Sequence, residues 1–415
     1  MSYQRRVCLG LSFLFIYAAS GYVPPDLVYN LIMRICFIRT DKGYPDSRVE
    51  KEMYALSKEH DVFLLGWNRE MAGKEVIHEK HNIRGREFDF YLIPETADYG
   101  GGMRRMSGPM RRFWKRAYTW LCKKQNSYDV IHVVNFDTAR PAFKAARRFN
   151  KKIVYDIFDY YADSYNAPAP VKRVIRKMEN RCISKADLTI ICSYERHGQI
   201  AGSTQKKLIV VENTPEDITV NDDFKLALDS VSDRTKVVYA GMLVFDRFLK
   251  ETCEVIRSRN DIEWHVAGYG VLRPYIEEAA ATNPNIFYYG PLPYDDILAL
   301  EKKCDIMTAL QDPSVPNNRY SAPNKFYEAL MLGKPLIMVR NGSIYKEIEK
   351  HGIGETIDPS EDNIKEEISA AFDRLIERRG EWPEMGLSAR KLYDTEYPWS
   401  KSEKALLEGY SSLLQ

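Results

Sequence analysis

Residues 321–338 read SAPNKFYEALMLGKPLIM, and the fold turns on how this stretch is read. Ser321 is a helix-capping residue type and Pro323 suits a first turn, while Gly333 and Pro335 end a helix before the apolar run LIMV at 336–339. LIMV and the preceding CDIMTAL (304–310) have the composition of buried strands, so the helix is expected to begin at a strand end. Lys325 and Glu328 share one helical face. As a solvated ion pair they would contribute about 0.2–0.5 kcal/mol. At a strand end facing a cleft they suit another task. A helix N-terminus offers N–H groups and a positive dipole end to an anion. Lys325 would add a full charge for a phosphate, and Glu328 one turn later could accept bonds from two vicinal hydroxyls, as a ribose presents them. Residue chemistry alone leaves the surface pair and the nucleotide-diphosphate grip both open.

Outward from this stretch, short apolar β-rich runs alternate with helical ones, the pattern of parallel α/β architecture. RICFIRT (34–40), DVFLLGW (61–67), YDVIHVV (128–134), KKIVYDIF (151–158), DLTIICS (187–193) and KLIVVEN (207–213) are the strands expected in a first unit. The polar, acidic segment PEDITVNDDFKLALDSVSDR (215–234) reads as a linker. A second alternating unit follows, from TKVVYAG (235–241) to the helical EDNIKEEISAAFDRLIERR (361–379). The expected division is therefore an N-terminal extension at 1–32, an acceptor-side Rossmann-like domain at 33–214, the linker at 215–234, a donor domain at 235–395 and a C-terminal helix at 396–415. In open parallel sheets ligands sit beyond the carboxyl ends of the strands, so the cleft between the two domains is the default site.

At 415 residues two domains are the default, and 45% hydrophobic with 28% charged residues is the composition of a globular protein. A formal net charge of +2 gives no case for nucleic-acid binding. The charge is uneven, however. Residues 103–125 hold Arg104, Arg105, Arg111, Arg112, Lys115, Arg116, Lys123 and Lys124, interleaved with Phe113, Trp114, Tyr118 and Trp120, and no acid. That pattern fits a solvated helix face or a segment lying on an anionic membrane, with Gly101, Gly102, Gly108 and Pro109 suggesting a mobile loop into the helix. Seven scattered cysteines without a CxxC suit reduced thiols. His78 and His81 form an HxxH expected on a surface loop rather than at a metal. In residues 1–32, Arg5-Arg6 before the apolar Val7–Ser20 resembles a signal peptide, short for a membrane span. The strand pattern starting just after Met33 favours an extension, either an anchor or a non-native start.

The opening stretch resembles the donor-binding segment of retaining GT-B glycosyltransferases of the family 4 type (glycosyl transferases group 1), as found in bacterial polysaccharide synthesis. YDVIHVVNFDTARPAFKAARR (128–148) resembles that family's acceptor-domain strand and helix, KVVYAGMLVFDR (236–247) its first donor strand and phosphate loop, and YPWSKSEKALLEGYSSLL (397–414) its crossover helix. The resemblance implies two Rossmann-like α/β domains facing across a cleft, with the C-terminal helix crossing back to the first. It implies that Glu328 binds the donor ribose as the second glutamate of an E-x7-E pattern, whose first position is Tyr320 here. Ser321, Pro323, Lys325 and Glu328 instead fit the S-x-P-x-K-x-x-E variant, and Asn324 inside it joins the donor-binding set. The family's two phosphate-binding cations fall on Met242 and Arg247, leaving Arg247 and Lys325 to hold the diphosphate, with Gly241 where the backbone approaches it.

The acceptor side departs further from the family. Its histidines would fall on Phe158 and Val134, so no catalytic histidine carries over, although His132 remains; Asp159 and Asp137 become the candidates for contacting the acceptor hydroxyl. A turn or cap role fits each equally well. The chain contains no D-x-D, which removes the usual anchor of a metal-diphosphate site; no metal or other cofactor is expected. GYG at 268–270 lacks a third glycine, with Arg273 in its place, which disfavours a dinucleotide oxidoreductase. The expected function is transfer of a sugar from a nucleotide-diphosphate sugar to a saccharide or lipid-linked acceptor. The expected location is the cytoplasm, peripheral at the inner membrane face. A non-catalytic nucleotide-sugar-binding protein and a nucleotide-sugar epimerase on the same fold are the alternatives.

Overall fold

The computed structural model describes residues 32–97, 102–164, 167–218, 220, 223–227, 233–342, 344–360 and 362–414. The expected extension at 1–32 thus lies almost wholly outside the described residues, as do parts of the expected linker and Gly101.

The first sheet has eight strands: β1 (Arg34–Ile38), β2 (Asp61–Asn68), β3 (Ile77–Ile83), β4 (Arg86–Pro94), β5 (Val130–Val134), β6 (Lys152–Ile157), β7 (Leu188–Ile191) and β8 (Leu208–Val210). Their order is β3-β4-β2-β1-β5-β6-β7-β8. All neighbours are parallel except β3 and β4, which form an antiparallel hairpin. The second sheet contains β9 (Thr235–Met242), β10 (Ile262–Tyr269), β11 (Ile286–Tyr288), β12 (Ile306–Ala309), β13 (Leu336–Val339) and β14 (Gly354–Ile357), in the order β11-β10-β9-β12-β13-β14 and wholly parallel. The longer helices are α1 (Ser47–Leu56), α2 (Gly102–Lys123), α3 (Phe136–Phe149), α4 (Ala169–Lys185), α5 (Leu249–Arg257), α6 (Arg273–Thr282), α7 (Tyr294–Lys303), α8 (Asn324–Leu332), α9 (Ile364–Glu377), α10 (Trp382–Glu396) and α11 (Trp399–Ser411).

Each sheet is covered on both faces, which is why its strands read as unbroken apolar runs rather than alternating ones. On the first sheet, α2, α3 and α4 supply Phe113, Ala142 and Ile183 to one core cluster. The other face is covered by α1 with Val49 and Met53, and by α11 with Trp399, Leu406 and Tyr410. The C-terminal helix therefore packs on the first sheet, against α1 and β8. On the second sheet, α7, α8 and α10 cover one face and α5, α6 and α9 the other.

Two local expectations need correction, and one element went unread. His78 and His81 lie on strand β3, not on a loop. Residues three apart on a strand point to opposite faces, so they cannot share an ion; each instead meets a carboxylate, Asp89 and Glu79 respectively. The hairpin itself was not legible, because its edge strand IHEKHNI is polar at every position between its terminal isoleucines. The expected mobile loop around Gly108 and Pro109 is helix: α2 runs through both. Phe113, Ala117, Trp120 and Leu121 are buried on the sheet, and that burial outweighs the helix-breaking tendency of Pro109. Among the described residues no helix is long and apolar enough to cross a membrane.

The described part of segment 215–234 is irregular and lies against the second unit. Tyr393 donates to the Pro215 carbonyl at 2.9 Å, and Phe224 and Leu226 pack on the α7–α8 side.

Candidate active site

The site is built at the carboxyl end of β9. Gly241 has φ +149°, and a Cβ placed there would come 2.6 Å from the Lys325 Nζ. The positive φ favours glycine, and a side chain here would push the Lys325 ammonium from its place. Lys325 stands in the first turn of α8, its Nζ 4.6 Å from the centre of the Tyr239 ring. Pro323 occupies the N-cap position and no side chain caps the helix, which leaves its N-terminal end open for an anion. Ser321 is not the cap expected from the sequence. A residue before proline is held extended, so the helix cannot start ahead of Pro323; the Ser321 hydroxyl donates to the Asn318 carbonyl and to Gln311 instead.

Glu328, one turn into α8, is 4% exposed and accepts a bond from the Tyr294 hydroxyl at 3.0 Å. Burial pushes its carboxyl upward and pushes the Lys325 ammonium downward, while the opposite charge of each pulls the other back. Arg247 acts on Lys325 from the loop after β9, and its guanidinium is held by Asp246 at 2.7 Å. Each cation also has an acid beside it, Asp246 at Arg247 and both Glu328 and Glu301 acting on Lys325. Beneath them Glu301 of α7 is fully buried, neither oxygen has a hydrogen-bond partner among the described residues, and burial raises its carboxyl well above the usual range.

The expected donor set is therefore brought together at Gly241, Arg247, Lys325 and Glu328. Asn324 faces elsewhere, donating to Ser47 of α1 at 3.3 Å across the cleft. Met242, where the family pattern has a cation, is 54% exposed at the end of β9.

On the other wall, Asp159 accepts from the Asn317 amide at 2.7 Å and lies 3.6 Å from Arg196. The next residue, Asn318, bonds Asp246, so the turn Pro316–Tyr320 links the acceptor-side carboxylate to the loop of Arg247. Asp137 begins α3; Thr40 donates to its Oδ2 at 2.5 Å, and its Oδ1 is buried without a hydrogen-bond partner among the described residues. Burial raises its carboxyl. Arg39 feels both Asp137 and Asp159, so the two expected carboxylates share one cation's field.

Sequence reasoning missed the residues that join the walls. Arg48 of α1 donates to Val211 and Asn213, each at 2.7 Å, and Asn213 donates at 2.7 Å to the Ala322 carbonyl just ahead of α8. Lys51, one turn on, gives its ammonium to the Asn213 and Thr214 carbonyls. Burial lowers it to about 7, against the opposing pull of Glu328. His132 proves to be interior: it pairs with Tyr410 of α11 at 2.6 Å and Asp156 at 3.3 Å. Among the described residues, Glu52, His132 and Asp156 are the one group close enough to share a metal ion, and Arg48 already lies 3.1 Å and 3.0 Å from the two carboxylates. A bound guanidinium makes that cluster a poor fit for a cation.

Residues 234–378 match the model of the family described as Glycosyl transferases group 1. No curated protein matches the chain. Among solved structures, the chain is similar to sucrose-phosphate synthase from Thermosynechococcus elongatus, at 12% identity over 92% of this chain and 99% of that one with a TM-score of 0.71. It is also similar to α,α-trehalose 6-phosphate synthase from Burkholderia multivorans (12% identity, 92% and 99% covered, TM-score 0.64). HepE from Anabaena, in complex with UDP-glucose, is a third (13% identity, 91% and 99% covered, TM-score 0.64). The two-domain α/β architecture, with both units and the returning helix, is that of the GT-B glycosyltransferases.

Proposed function

We propose that this chain is a glycosyltransferase that moves a sugar from a nucleotide-diphosphate sugar to a saccharide or lipid-linked acceptor, with retention at the anomeric carbon. The observation that carries the reading is the meeting of Lys325, Arg247, Gly241 and the uncapped start of α8 at one strand end, with Glu328 buried one turn away. Cations and helix end would hold the diphosphate as it leaves, so that no metal is needed; charge stabilisation of this kind is worth about 2.7–4 kcal/mol per donor group. Glu328 would accept the ribose hydroxyls once they displace the Tyr294 bond. Asp159 or Asp137 would orient the acceptor hydroxyl or take its proton. HepE's complexes with UDP and UDP-glucose favour uridine as the donor base. The product would serve cell-surface polysaccharide or glycolipid synthesis at the inner membrane face.

The test is a thermal-shift titration with UDP, GDP and ADP on wild type and Glu328→Ala, followed by turnover with the matching nucleotide sugar. At ten to a hundred times its Kd a ligand adds about 1.4–2.7 kcal/mol. A shift for one base that disappears in Glu328→Ala is expected. Absence of any shift in folded protein would sink the donor-site reading, whereas a shift without turnover would turn the assignment to a nucleotide-sugar-binding protein.

A further inference from the structure

Helices α2, α3 and α4 lie on the same face of the first sheet, and their outer sides have one chemistry. Asp137 and Glu179 are the only acids in the three helices, and both turn inward. Asp137 accepts from Thr40, and the fully buried Glu179 accepts from the backbone N–H groups of Tyr161 and Ala162. The cations point outward. On α4, Arg173, Lys177 and Arg181 follow one another at helical spacing on an exposed row, and none forms an ion pair among the described residues. On α3, Arg140, Lys144 and Arg147 are exposed. On α2, Arg105, Arg111 and Lys115 are exposed as well.

Beside the cationic row of α4 runs an apolar one. Val171, Val174 and Met178 recur at helical spacing and are 41%, 58% and 49% exposed. Lys185, seven residues beyond Met178 on the same side of the helix, shares a depression with Lys144 and Arg147 of α3. The apolar row therefore lies between two rows of cations. Of the aromatic residues of α2, Phe113 and Trp120 are buried, while Trp114 and Tyr118 lie under the Arg140 guanidinium and the Lys144 ammonium. Ion pairs occur on both faces of the sheet, Arg112 with Glu95 and Arg176 with Asp163 on this one, Lys404 with Glu408 and Lys401 with Glu396 on the other, and the row of Arg173, Lys177 and Arg181 stands out by having none among the described residues.

We propose that the outer face of α2, α3 and α4 docks on an anionic lipid bilayer, with α4 lying in the interface and Val171, Val174 and Met178 inserted among the headgroups. The cations answer the negative surface, each worth about a fivefold change in partitioning near it. A soluble polyanion would be matched by the cations alone and would leave the apolar row in water; a bilayer buries that row while the charges stay hydrated. Because α3 starts at the carboxyl end of β5, docking this layer would keep the cleft beside the membrane. The proposal deepens the function proposed above, by naming the surface from which a lipid-linked acceptor would come, but its test does not depend on it.

The test is co-sedimentation of the full chain with vesicles of phosphatidylcholine, alone or with roughly a third phosphatidylglycerol, at about 0.1 M and about 1 M salt. Wild type is expected to sediment only with the anionic vesicles at low salt. Val174→Asp/Met178→Asp should lose tenfold or more, and Arg173→Gln/Lys177→Gln/Arg181→Gln about a hundredfold. Lys404→Glu on the opposite face should bind as wild type, and the UDP thermal shift should survive in every variant. Wild type that ignores anionic vesicles overturns the proposal. So does a Val174→Asp/Met178→Asp variant that still sediments fully while tRNA competes the wild type away, because that is polyanion binding. Failure of the donor reading looks different: the nucleotide shift is absent while vesicle binding persists.

Discussion

The two walls of the cleft are assembled in opposite ways. On the donor wall, Lys325 and Glu328 occupy one helical turn, and Gly241 and Arg247 flank one short loop. On the acceptor wall, Arg48 meets Asp156 and His132 meets Tyr410, pairs separated by more than a hundred residues. Asp159 finds its partner in Asn317, on the other unit. A local arrangement can be kept by a short stretch of sequence whatever the rest of the chain does. A distant one exists only when the whole fold is in place, so its residues carry stability as well as chemistry.

That contrast can be broken by experiment, and the largest effect is expected on the acceptor wall. Arg48→Met leaves Glu52 and Asp156 buried without their guanidinium, at a cost of about 3–5 kcal/mol. Thermal unfolding should fall by roughly 10 °C. A fall of only a degree or two would mean that the cluster is not the keystone it resembles. On the donor wall the change should be catalytic. Lys325→Met is expected to lower kcat about 10²–10³-fold, with a melting temperature close to wild type, read by steady-state kinetics beside calorimetry.

Lys51 sharpens the comparison because it reaches from one wall to the other. Its folded-state pKa, lowered by burial to about 7, lies below the value near 10.4 expected in the unfolded chain. Between the two, the unfolded chain holds a proton that the native state has released. Stability from this group therefore rises with pH from about 7 towards 10, by up to about 1.4 kcal/mol per unit, and is level below that window. Urea unfolding at several pH values should show the rise in wild type and its absence in Lys51→Met. The smallest effect belongs to Ser321→Ala. Losing its bond to the Asn318 carbonyl should cost about 1 kcal/mol of stability. Nucleotide affinity should stay within a factor of about two, since the hydroxyl neither caps α8 nor turns to Lys325; a tenfold loss would return it to the donor site.

Legibility followed the same divide. Strands β1, β2, β5–β8 and β9–β13 could be read from their apolar runs, because a parallel strand in a covered sheet announces itself by composition alone. The hairpin β3–β4 could not, since an edge strand with a wholly polar interior looks like a loop. Helix α2 was misjudged at Gly108 and Pro109, where propensity argues against a helix and packing of Phe113 and Trp120 argues for one. Gly241, Arg247, Lys325 and Glu328 could be singled out from the sequence, and the fold brings them to one strand end. Tyr294, Glu301 and Asn317 were not, for each looks ordinary in its own segment and becomes notable only through what it faces.

By itself, the sequence determined that this is a two-unit α/β protein with a helix that starts at a strand end near residue 325 and carries Lys325 and Glu328 on one face, because strand burial, helix termination and the spacing of those two residues are properties of short windows. The tertiary structure alone decided that Arg48 grips Asp156 and Asn213, that Asn324 turns to Ser47, and that α2, α3 and α4 show one basic face. Those pairings depend on which elements the chain lays side by side, and the free energy that selects them is that of burying whole sheet faces at once, which no local window contains.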